Sequence, residues 1–137
     1  MASSERRSRV GELVQLVPEL ISASIAPVIS EMSGGWEAVL YRVDGQAGSL
    51  VVRSFEGSSG PWKVRHESTV IRALGSLGYP VPEVFAVNLD SSTAFGGPYI
   101  VMELVPGDPL MAPDSPPPSA DVLRECVQLM VELHKLD

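Results

Sequence analysis

The sequence predicts an α+β fold: a small antiparallel five-stranded sheet carries one main helix between its third and fourth strands, with a further helix near each end of the chain. Three observations predict it. Apolar residues recur at helical spacing near both termini and again over residues 62–77. Between these stretches, short runs such as Val39, Tyr41 and Val43 alternate with polar or small neighbours, the pattern of a half-buried strand. Turn-forming clusters separate the runs at 33–35, 44–48, 56–61 and 88–97.

Each element follows in order. Val10, Leu13, Leu16, Val17, Leu20 and Ile21 predict an amphipathic helix over residues 5–22, with Pro18 either kinking it or starting a new turn. Residues 25–32 are apolar and β-branched around Pro27, a pattern compatible with an edge strand. Ser33-Gly34-Gly35 is a turn, followed by the strand through Val39, Tyr41 and Val43. Asp44 to Gly48 turns the chain back into Leu50–Phe55, so this pair reads as a hairpin with a longer loop. A helix then runs from Trp62 to Leu77, stopped by Gly78 and Pro80. Val84–Val87 is a short strand and Tyr99–Val105 a strongly apolar one, ended by Gly107. Residues 108–119 form a linker stiffened by Pro116, Pro117 and Pro118. Ser119 caps a last helix over residues 120–136. One face of it carries Val122, Cys126, Leu129, Met130, Leu133 and Leu136, and Leu123, Val127 and Val131 widen that face. A helix with so narrow a polar stripe expects partners on most sides.

Composition narrows the function classes. With 137 residues, 45% of them hydrophobic, the chain can build one modest core and is too apolar to be disordered. A net charge of -7 argues against nonspecific binding to nucleic acid or to an anionic membrane, and leaves a local phosphate site open. Cys126 is the lone cysteine, so no internal disulfide is possible, which fits a reducing cytoplasm. Arg6, Arg7 and Arg9 precede an apolar stretch, but Glu12, Gln15, Pro18 and Glu19 break it, unlike a secretory leader. No run approaches the ~18 apolar residues of a membrane span. The expectation is a cytoplasmic protein without nucleic-acid or membrane partners.

Three features carry chemistry. Gly34-Gly35 lies between the first two strands, where glycines let backbone N–H groups approach a phosphate, although a glycine pair there is more often a plain turn. Arg53 shares a strand face with Val51 and Phe55, an unusual place for an unpaired cation. Glu67 shares a helix stripe with Val64, Ile71 and Leu74, where a carboxylate needs a cationic partner. Arg53 is the nearest cation that could lie beneath this helix. Such a pair either ties helix to sheet or positions a cation on a nucleotide phosphate, and the residues by themselves support both readings.

The ordered segments GGWEAVLYRV, LVVRSF, HESTVIRALGSLGYPVPEV and PYIVMELVPGDPL resemble the N-terminal lobe of aminoglycoside-phosphotransferase-like kinases, a superfamily that also includes choline-kinase-like enzymes and has a protein-kinase-like fold. The resemblance covers roughly residues 30–110, and ELHKL resembles the start of the second lobe. It implies a helical segment at 1–24, a nucleotide-binding lobe at 25–110, and a linker and first second-lobe helix at 111–137. It implies ATP as cofactor, with Mg only in a complete enzyme. Ser33, Gly34 and Gly35, beside Trp36, resemble the loop over the ATP phosphates. Arg53 resembles the strand cation and Glu67 the helix glutamate that holds it. Met102 matches the back of the adenine pocket, Val51 its roof, and Glu103, Leu104 and Val105 the hinge whose backbone reads the adenine edge. Core packing accounts for Val51 and Met102 equally well.

The phosphoryl-transfer residues of such an enzyme come after the hinge, as a His-Gly-Asp motif or its relatives and a later metal-binding Asp. Asn88, the one asparagine, precedes the hinge; Asp108, Asp114, Asp121 and Asp137 are not followed by an asparagine, and His134 has no Gly-Asp after it. The expectation is an ATP-binding lobe cut short before the catalytic loop, inactive alone, whose acceptor (an antibiotic or metabolite hydroxyl) needs a missing lobe. The alternative is a noncatalytic interaction module that forms homo-oligomers or docks through the helix at 120–136. A domain unrelated to kinases, with a purely structural Arg–Glu pair, leaves the order of the motifs unexplained.

Overall fold

The computed structural model describes residues 2–33, 35–110 and 113–136. Gly34 of the predicted phosphate loop, and Met111 and Ala112 of the linker, lie outside them. The elements run α1 (Ala2–Leu16), β1 (Val28–Met32), β2 (Val39–Gly45), β3 (Gly48–Ser54), α2 (Gly60–Ser76), β4 (Val84–Asn88), β5 (Tyr99–Glu103) and α3 (Ala120–Leu133). All strand pairs are antiparallel, in the order β1-β2-β3-β5-β4. The predicted α+β class, five strands and helix placement are those observed, and β1 occupies an edge.

The central strands are buried on both sides. Tyr99, Ile100, Val101 and Met102 of β5 are all buried, and so are Leu50, Val51 and Val52 of β3. Alternation splits their side chains between two cores. On one face Tyr41, Val43, Leu50, Val52, Phe95, Tyr99 and Val101 pack with Leu13, Val17 and Ile21 of the N-terminal segment. On the other, Val51, Phe55, Ile100 and Met102 pack with Val64 of α2.

Element ends differ from expectation for identifiable reasons. α1 stops at Leu16 rather than 22, because Pro18 pushes Val17 out of the helical region. The chain continues as a turn in which Ile21 N–H donates to Val17 C=O at 3.0 Å, and this returns both side chains to the core. α2 starts at Gly60, with Pro61 in the first turn where its missing N–H costs nothing. Its end is a Schellman motif: Tyr79 N–H donates to Leu74 C=O at 3.0 Å and Gly78 N–H to Gly75 C=O at 3.0 Å, with Gly78 at φ 79. β5 ends at Glu103, two residues early. α3 is capped by Ser119, whose hydroxyl accepts from Val122 N–H at 3.3 Å, and it ends at Leu133.

The junction between β3 and α2 is crowded. Phe55 N–H donates to Pro98 C=O at 2.9 Å. A Cβ on Gly97 would lie 2.3 Å from the Phe55 oxygen, and one on Gly60 would lie 2.7 Å from it. Gly97→Ala is therefore expected to cost about 1–3 kcal/mol. Gly11→Ala, mid-helix in α1 with nothing within 4 Å of the new methyl, is expected to add up to about 1 kcal/mol. Chemical denaturation of both variants checks the contrast.

Burial pushes the Tyr99 phenol up to about 12, Glu12 adds to the shift, and a hydrogen bond with Asn88 opposes it. Burial also raises Tyr41, against the pull of Arg9. A phenol raised on folding contributes stability that is whole below its unfolded value near 10 and lost as pH rises through about 12. Melting temperature is thus expected to fall between pH 10 and 12, and Tyr99→Phe to flatten that fall relative to the wild type.

Candidate nucleotide site

Arg53 and Glu67 meet. Strand alternation points Arg53 toward the α2 side of the sheet, and the helical stripe of α2 returns Glu67 to it. Arg53 Nε stands 2.7 Å from Glu67 Oε1, and the side chains keep 29% and 31% exposure. By distance this is an ion pair. By direction it is not a hydrogen bond, and Nε is a buried donor without a hydrogen-bond partner among the described residues. Coulomb attraction needs only proximity, whereas a hydrogen bond needs alignment. We take the contact as an electrostatic tether that leaves hydrogen-bonding capacity of the guanidinium unused. Phe55 flanks the cation with its ring centroid 5.0 Å from Cζ. A part-exposed pair of this kind contributes about 1 kcal/mol or less to stability, so its placement matters more than its strength.

The glycine turn lies beside this pair. Leu40, opposite Arg53 in the β2–β3 register, is 3.8 Å from where a Cβ on Gly35 would stand. That Cβ would also lie 2.0 Å from the Ala38 carbonyl oxygen, so glycine at 35 is demanded by the tight local turn itself. Ser33, Gly35 and Trp36 are exposed, Trp36 almost completely. A contact without a sequence signal ties the turn to α2: Glu37 accepts from Lys63 Nζ at 3.4 Å, across 26 residues of chain.

An apolar surface adjoins the pair. Val51 and Met102 are register partners on the α2 side and both are buried core residues. α2 lies against β4 and β5. Met32 and Leu40 share the same face toward the other edge and stay half-buried, as does Leu104 beyond β5. Met32 and Leu40 went unnoticed in the sequence. The alternation that put Tyr41 on one face of β2 already put Leu40 on the other, so the signal was present.

The hinge is only partly free. Glu103 N–H donates to Glu83 C=O at 2.9 Å, so it cannot also read an adenine edge. The Glu103 carboxylate accepts from Glu83 N–H at 3.1 Å, so its side chain is a clasp on the segment before β4. Val105 is 57% exposed, and its amide has no backbone partner among the described residues. Also among the described residues, no three His, Cys, Asp or Glu side chains converge where they could hold a metal. No helix there is long and apolar enough to cross a membrane.

The fold is shared with known proteins. The crystal structure of a Ralstonia eutropha JMP134 protein, provisionally assigned as an aminoglycoside phosphotransferase, superposes with a TM-score of 0.57 at 18% identity. The match covers 80% of this chain and 31% of that one, so the chain spans under a third of that relative's length. At this identity the likeness concerns the fold alone. No curated protein sequence matches significantly. The sequence model of the phosphotransferase enzyme family matches residues 28–137, every element except α1, and the chain belongs to that family.

Proposed function

We propose that the chain is the ATP-gripping lobe of a small-molecule phosphotransferase whose acceptor is a hydroxyl. The observation that carries this reading is the Arg53–Glu67 tether, set between the exposed Ser33 and Gly35 and a half-open apolar face. Glu67 occupies the Nε side of the guanidinium, and an anion beside Arg53 would meet the remaining N–H groups of its fork. ATP, when bound, supplies the phosphoryl group to be transferred. The residues of this chain orient it. Glu67 holds Arg53 in place, and Arg53 offers a planar, permanently charged fork to phosphate oxygens. Ser33 and Gly35 are exposed, where their backbone N–H groups would meet a phosphate. Met32, Leu40 and Leu104, backed by Val51 and Met102, would supply a surface for a flat base, and the Val105 N–H, without a backbone partner among the described residues, would read its edge. The sequence holds no His-Gly-Asp, so these residues grip nucleotide without a base to activate an acceptor. A cytoplasmic location, where ATP is present, belongs to the same reading.

Titration with a fluorescent ATP analogue tests it. Arg53→Ala is expected to weaken binding about tenfold, and Arg53→Lys, which keeps charge but loses the fork, to weaken it less. Thermal melts of both variants should stay near wild type, because the pair adds little stability. ADP release with hydroxyl acceptors is expected to stay at background. An Arg53→Ala protein that loses stability while binding the analogue unchanged would leave the pair a mere structural tie.

A second reading rests on α3. None of its residues is buried, and Leu123, Val127 and Met130 are 48%, 59% and 59% exposed. A link to the rest is one hydrogen bond from the Tyr79 hydroxyl to Leu129 C=O at 3.0 Å. On this reading the helix forms a homo-oligomer. Light scattering across a concentration series is expected to show association, and Val127→Glu with Met130→Glu to abolish it.

A further inference from the structure

Glu12 and Arg9, one turn apart on α1, grip a single residue of the β4–β5 connection from both sides. Glu12 Oε1 accepts from Ala94 N–H at 2.7 Å, and Arg9 Nε donates to Ala94 C=O at 2.9 Å. The other Glu12 oxygen accepts from the Tyr99 hydroxyl at 3.1 Å. The Arg9 guanidinium lies 4.7 Å from the Tyr41 ring centroid and 5.6 Å from that of Phe95. An N-terminal segment that merely covered the sheet would need Leu13, Val17 and Ile21, not a charged clasp on one peptide unit.

The gripped segment leads directly to the ion pair. Three and four residues past Ala94, Gly97 and Pro98 press against Phe55 and Gly60: Pro98 C=O accepts from Phe55 N–H at 2.9 Å, and a Cβ on Gly60 would lie 2.8 Å from Pro98 Cγ. Phe55 follows Arg53 by two residues and flanks its guanidinium. Gly60 opens α2, which carries Glu67. α1 itself lies outside the residues that match the family. We infer that Glu12 and Arg9 are positioning residues for the Arg53–Glu67 pair. By fixing the 93–98 segment they fix where α2 begins, and so where its carboxylate meets the strand cation. The inference rests on Arg53 being the nucleotide-binding cation.

The experiment titrates the fluorescent ATP analogue into wild type, Glu12→Ala, Glu12→Gln and Val17→Ala proteins, each with a thermal melt. Glu12→Ala is expected to weaken binding about fivefold. Glu12→Gln, whose amide oxygen can still accept from Ala94 N–H, restores most of it. Val17→Ala, just past the end of α1 and in the same core, lowers the melting temperature and leaves affinity within about twofold. Wild-type affinity in Glu12→Ala, or an equal loss in Val17→Ala, overturns the inference. If Glu12→Ala does not fold, Arg9→Met takes its place: it loses the bond to Ala94 together with the guanidinium beside Tyr41, and is expected to weaken binding about threefold. A wild-type chain that binds no analogue sinks the nucleotide reading instead. The clasp is then judged by the indole NMR resonance of Trp62, in the first turn of α2, which must move in the Glu12 or Arg9 variant and not in Val17→Ala.

Discussion

The carbonyl oxygen of Phe55 leaves no room for a side chain at Gly60 or at Gly97. Three segments meet around it: the end of β3, the first residue of α2, and the connection returning from β4 to β5. Two glycines and a proline allow the three backbones to approach within contact of one another. Because α2 starts there, its stripe of Val64 and Ile71 is aimed at the sheet and Glu67 falls above Arg53. The same junction explains how β5 enters the sheet between β3 and β4, since Pro98 is bonded to Phe55 just before β5 begins at Tyr99.

The two faces of the sheet are closed by different means. α1 and the turn after it seal one face with three fully buried aliphatic side chains and the polar clasp on Ala94. α2 closes the other face over β4 and β5 and leaves Met32 and Leu40 half-buried. That asymmetry separates a stable wall from a usable surface. A cation held on the open side, with part of its hydrogen-bonding capacity unmet, is a local positive feature in a chain of net charge -7. The overall charge therefore says little about phosphate binding, and the geometry around Arg53 says more.

The family match and the distant structural likeness make the chain a phosphotransferase family member with a kinase-like lobe. They do not choose an acceptor. The structure adds a correction to the hinge: Glu103 holds the segment before β4 through both its N–H and its carboxylate, so its N–H is not free for a ligand. The apolar face of α3 stays exposed, with a hydrogen bond from the Tyr79 hydroxyl to Leu129 C=O among its links to the rest of the described residues.

Much of this was legible in the residues. Period-two alternation identified the strands and put Val51, Arg53 and Phe55 on one face, and a period-3.6 stripe put Glu67 against them, because side-chain direction in a regular element is a local property. Local chemistry also announced the stops at Gly78 and the cap at Ser119. Contacts between distant segments were not legible. Lys63 with Glu37, Arg9 and Glu12 with Ala94, and Glu103 with Glu83 join residues 20 to 85 positions apart, and no periodicity encodes which loop a side chain will reach. The amino-acid order was enough to specify the elements, their faces and the two charges that pair. Packing alone decided the strand order, the seat of α2 and which backbone donors remain free, because those depend on how separate segments fill the same space.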